Sequence, residues 1–149
     1  MINNPTRYSA VNNGSWYWPD VSDLDGAKDA TRYGMWCAIL VSAVTTLFVG
    51  LSFLGIRLMG ISAGALLDAV LFAAIAYGLA RFSRFAAVAG FVLFLAEKIY
   101  TAVTMGSILG IGALGVVILF GFLNGVRGVF AYQKLLAKTA VQTVPPAMA

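Results

Sequence analysis

A chain of 149 residues that is 60% hydrophobic and only 11% charged, with a mean hydropathy of +0.87, has too few charges to coat a water-facing surface, where about 25% is usual. Histidine is absent and cysteine occurs once, at Cys37. That leaves no disulfide framework and no cysteine metal cluster, and it removes the commonest metal ligand and general base. The net charge of +4 would suit nucleic acid, but its distribution along the chain argues against such a partner, as shown below.

Residues 1–19 are rich in Asn, Gly, Ser and Pro and read as irregular. Trp16, Tyr17 and Trp18 form an aromatic cluster there, and Trp36 stands at the start of the apolar region. Two readings are open for these rings. They anchor the chain at the headgroup level, or they contact a partner protein. Ser22 and Asp25 stand at capping-box spacing, and Lys28 and Arg32 follow, which predicts a short helix on the membrane surface leading into the first span. The segment Asp23-Leu24-Asp25-Gly26 lacks the remaining ligand positions of a calcium loop.

Four apolar stretches follow, at residues 35–56, 60–80, 85–105 and 108–126. Each approaches the roughly 20 residues that a helix needs to cross a hydrocarbon core. The predicted fold is an all-α, integral membrane, up-down four-helix bundle. It has a tail over residues 1–34 and a helical extension with a frayed end over 127–149. A signal peptide would carry its apolar region at the extreme N-terminus, so the first span is expected to remain in the mature protein. Short turns make successive helices antiparallel neighbours. Arg7, Lys28, Arg32, Arg81, Arg84, Arg127, Lys134 and Lys138 then fall on one side, leaving Arg57 and Lys98 for the other half. The positive-inside rule places both termini in the cytoplasm. The basic character is thus a topology signal, and no nucleic-acid partner is expected.

Three ionisable groups lie within the spans: Asp68, Glu97 and Lys98. Asp68 and Lys98 lie at roughly 12 and 10 Å depth from the outer ends of their spans, at 1.5 Å per residue. The third span has nine Leu, Ile, Val or Phe residues, worth about −3 to −5 kcal/mol on insertion. An unpaired Glu and Lys would cost about +5 to +7 kcal/mol. Neighbours must answer those charges. Glu97 shares a face with Gly90, Thr101 and Thr104, whereas Lys98 lies with Phe91, Phe94 and Leu95. Glu97 is expected to point inward, with Lys98 bridging to Asp68. Such a group locks helix register, docks a partner helix, or carries an ion. The half of the second span beyond Asp68, residues 70–76, offers no polar continuation.

Glycine provides the packing signal. Gly60 and Gly64, Gly106 and Gly110, and Gly121 and Gly125 stand at GxxxG spacing, which lets helices approach closely in lipid. The match of residues 110–115 to a dinucleotide-binding pattern has no preceding strand and lies in a span. The residues carry no catalytic, cofactor or metal constellation, and the chain is expected not to be an enzyme.

Residues 67–73, then Arg81-Phe82-Ser83-Arg84, Glu97-Lys98-Ile99 and residues 124–132, together resemble a group of small bacterial four-span membrane proteins without an assigned activity. The resemblance covers most of residues 25–135. It implies a bacterial inner membrane and brings no catalytic residues. Where that group often has His after the final Tyr, this chain has Gln133. The expected role is a non-catalytic accessory or structural subunit packing on other subunits of a larger membrane complex, such as a bioenergetic one. The alternative is a small transporter or channel, as a homo-oligomer, using Asp68 and Glu97.

Overall fold

The structure, a computed structural model, describes residues 18–54, 64–105 and 112–142. Four helices follow in order: α1 (Leu24–Phe53), α2 (Gly64–Ala80), α3 (Arg84–Met105) and α4 (Gly112–Gln142). Among the described residues there is no strand. By length and apolar composition α1, α3 and α4 suit a membrane crossing, and α2 is a shorter apolar helix. The molecule is therefore an all-helical membrane protein.

Two expectations at the N-terminus are corrected. The surface helix and the first span are a single 30-residue helix without a break. The cap is Asp23, not Ser22: its carboxylate accepts from the Gly26 backbone N–H at 2.8 Å, while the Ser22 N–H is held by Asp20 at 2.9 Å. Asp23 wins because its side chain reaches the third N–H of the first turn and places a negative charge on the helix dipole. Nothing in residues 26–34 breaks helical geometry, so the first turns run directly into the apolar region.

The α2–α3 turn falls where the sequence places it, over Arg81-Phe82-Ser83. Ser83 N–H donates to Gly78 O and Phe82 N–H to Leu79 O, both at 2.9 Å. This is a Schellman ending with its left-handed position at Phe82, φ 54°. Glycine usually occupies that position, because a side chain there costs about 1–2 kcal/mol. Two contacts from α4 compensate. The Phe82 ring stacks on Tyr132 with centroids 4.1 Å apart, and Gln133 Nε2 donates to Phe82 O at 2.7 Å. Ser83 Oγ then accepts from Ala86 N–H and caps α3. Replacing Gln133 with Ala should lower stability by about 1 kcal/mol, the usual worth of such a bond, measured by unfolding in mixed micelles.

The helices form a ring. α1 lies against both α2 and α4, and α3 closes it by touching those same two helices. α1 and α4 cross antiparallel on small residues. A Cβ built on Gly34 would stand 2.7 Å from Gly125 Cα, and one on Gly128 would stand 2.5 Å from Thr31 N and 2.6 Å from Ala27 O. Gly121 lies against the Cys37 thiol. Gly121 and Gly125 therefore pack inside the molecule. Gly64 opens α2, while Gly60, Gly106 and Gly110 lie outside the described residues. At the centre Phe72, Phe94 and Phe122 are almost fully buried, one from each of α2, α3 and α4, with centroids 5.4–6.3 Å apart.

Candidate functional site

Asp68 on α2 and Glu97 on α3 are the polar centre of the apolar region. Their carboxyl groups face each other across the α2–α3 contact. The expected bridge from Lys98 to Asp68 is corrected. Among the described residues the ion pairs lie elsewhere, and the Lys98 ammonium sits over the Phe94 ring at 4.8 Å. The reason is helical geometry. Consecutive residues point about 100° apart, so only one of Glu97 and Lys98 can turn toward α2, and Glu97 does.

A contact that the sequence reading missed ties α1 to α2 beside Asp68. Ser42 Oγ on α1 donates to Ala69 O on α2 at 2.8 Å, one residue from Asp68. A serine inside an apolar span is the signal that could have found it, since such hydroxyls bond across helices in lipid. Thr46, Thr101 and Thr104 instead bond carbonyls of their own helices. One turn from the acid pair, toward the Arg81–Arg84 end, the interior is filled by the Phe72, Phe94 and Phe122 rings.

A groove of about 560 Å³ runs along the outside of the α2–α3 pair. Ala74, Ala86, Ala89 and Ala96 give it a shallow floor between Leu71, Phe85 and Val92. Leu71 lies one turn beyond Asp68 on α2, and Leu93, another wall residue, lies one turn before Glu97 on α3. The groove thus ends one turn short of the acid on each helix.

The Arg81–Arg84 end is rich in cation–ring contacts. Arg81 lies over Tyr77 and donates to its hydroxyl at 2.7 Å, and Arg84 lies over Phe130. Arg127 stacks 3.7 Å from the Trp18 ring and donates to Asn124 Oδ1 at 3.0 Å. Trp18 therefore fastens the N-terminal segment onto α4, a role that neither sequence reading included. Trp36 is 63% exposed on α1, and Trp16 and Tyr17 lie outside the described residues.

At the same end a second cleft, of about 510 Å³, opens between the first turns of α1 and the end of α2. Asp25, Lys28, Asp29 and Arg32 line one wall, and Leu79 and Phe82 line the other. Among the described residues no group of three or more His, Cys, Asp or Glu gathers as metal ligands. No family model, curated protein or solved structure matches the chain, so its chemistry is read from these residues alone.

Proposed function

We propose that the chain is a non-catalytic, four-span protein of a bacterial inner membrane with both termini cytoplasmic. It acts as an accessory subunit that packs on a larger membrane complex, such as a bioenergetic one. The observation that carries this reading is the open alanine-floored groove on α2–α3, which ends one turn from Asp68 and Glu97. The close-packing glycines of α4 are consumed internally against α1, whereas Ala74 and Ala96 of the groove are exposed. Small residues let a further helix approach in lipid. The acid pair selects what that helix carries: a Lys or Arg at its level, which would otherwise be costly in the bilayer. The occupant is thus a transmembrane helix of a partner subunit bearing one basic residue.

The second reading, a small oligomeric transporter or channel using Asp68 and Glu97, draws support from the adjacent acid pair. Against it stands the phenyl-filled interior one turn away, where a polar path would have to continue.

Extraction in mild detergent is expected to yield a complex of fixed stoichiometry. A cysteine at position 89, in a Cys37→Ala background, should cross-link to a membrane helix of the partner. Ala96→Trp, which fills the groove from an exposed position, should release the partner while the chain keeps its helicity. A monodisperse chain eluting alone would sink the subunit reading, and a cross-link to a second copy would replace the partner by a homo-oligomer. Proton flux in liposomes that Asp68→Asn and Glu97→Gln both abolish would establish the transporter instead.

A further inference from the structure

The cleft between α1 and the end of α2 has a charge order that the subunit reading does not use. Along two turns of α1 the wall runs Asp25, Lys28, Asp29, Arg32, with Lys28 Nζ 3.1 Å from Asp25 and Arg32 Nη1 3.8 Å from Asp29. The opposite wall, Leu79 and Phe82, is apolar, and Met35 lies at the apolar end of the α1 wall. Lys28 precedes Met35 by seven residues, or about 10 Å of helix. The charged wall therefore begins at the edge of the hydrocarbon core, with Arg32 inside a headgroup layer roughly 5–8 Å deep on each side. Its outer turn, Asp25 and Lys28, extends beyond that layer, and the Lys28 stem reaches back into it.

We propose that this cleft binds the headgroup of a zwitterionic phospholipid with a primary ammonium, its phosphate on Lys28 and Arg32 and its ammonium on Asp25 and Asp29. The wall is balanced, two acids and two bases. A headgroup with both charges exchanges partners with the existing ion pairs and leaves none unmatched. An anionic headgroup would add a charge that Asp25 and Asp29 repel. A quaternary ammonium has no N–H to give the carboxylates, and its usual recognition is an aromatic cage, which the carboxylate wall does not offer. Ionised hydrogen bonds to phosphate and carboxylate are the stronger kind. The cleft volume falls in the range of small-molecule sites, roughly 300–1,000 Å³, and its apolar wall takes the glycerol end and the start of the acyl chains. This inference needs only that the helices cross a membrane, and it stands or falls apart from any partner subunit.

The test is native mass spectrometry of the full-length protein released from nanodiscs containing phosphatidylethanolamine, phosphatidylcholine and phosphatidylglycerol in equal amounts. One phosphatidylethanolamine should be retained at least fivefold over either competitor. The double variant Lys28→Gln/Arg32→Gln should lose that adduct at least fivefold. Asp25→Asn/Asp29→Asn should abolish the preference over phosphatidylglycerol. Lys134→Gln/Lys138→Gln, also basic and exposed, should change nothing. Circular dichroism checks that each variant remains helical, which their exposed positions and the intact Asp23 cap favour. Equal retention of the three lipids, or unchanged retention in the Lys28/Arg32 variant, overturns the proposal. So does saturable binding of soluble phosphoethanolamine to a chain that shows no lipid preference, because the ligand would then not be a lipid.

Discussion

Gly128→Val should be among the most damaging single substitutions at the α1–α4 crossing, lowering stability in mixed micelles by about 3 kcal/mol or more, at or beyond the upper end of ordinary overpacking. The Cβ of any residue at 128 would stand 2.5 Å from Thr31 N and 2.6 Å from Ala27 O. Both are backbone atoms, so no rotamer can yield. α1 and α4 must separate, and contacts along about two turns, from Thr31–Gly128 to Cys37–Gly121, weaken together. Gly50→Val provides the control, since nothing lies within 4 Å of its Cβ position. It should raise stability by a few tenths of a kcal/mol, the difference in helix propensity between the two residues. Equal losses for the two variants would show that the α1–α4 crossing does not hold the fold.

Phe122→Ala should follow, at about 2–3 kcal/mol. The ring is 1% exposed and meets both Phe72 and Phe94. Removing roughly 100 Å³ at about 24 cal/mol per Å³ of cavity gives about 2.4 kcal/mol. In water a transfer contribution of similar size would be added. In lipid the exposed ring is already solvated by hydrocarbon, so packing alone counts. Phe122→Leu, which keeps most of the volume, should cost less than about 1.5 kcal/mol. A loss for Phe122→Ala above about 4 kcal/mol, as in a water-soluble core, would mean that the ring is shielded from water rather than packed in lipid.

How much of this was legible beforehand depends on the kind of signal each element carries. The third stretch, residues 85–105, and the end of the second at Ala80 match α3 and α2 within one residue, because a basic turn interrupts an apolar run there. Gly121 and Gly125 were legible as a close-packing surface, since small residues are conspicuous in lipid. The Asp68–Glu97 partnership was not. Opposite charges at one depth suggested Lys98, and a sequence gives depth by counting but gives azimuth only when one face differs from the others. α2 is apolar all round, so its 3.6-residue period marks no inward side. For the same reason nothing announced that Phe72, Phe94 and Phe122 meet, while Phe85 stays 84% exposed.

Residue chemistry by itself determined the solvent of this protein, its helical class and the turn at Arg81–Arg84. Each of these follows from local hydropathy and from backbone groups that lipid obliges to pair within the helix. Tertiary structure alone decided which side of each helix faces inward, that Trp18 is fastened by Arg127, and that α1 meets α4 across glycine. In a bilayer the solvent and the core are equally apolar, so the hydrophobic effect cannot choose between faces. The choice falls to van der Waals fit and a few hydrogen bonds, which exist only once all the helices are in place.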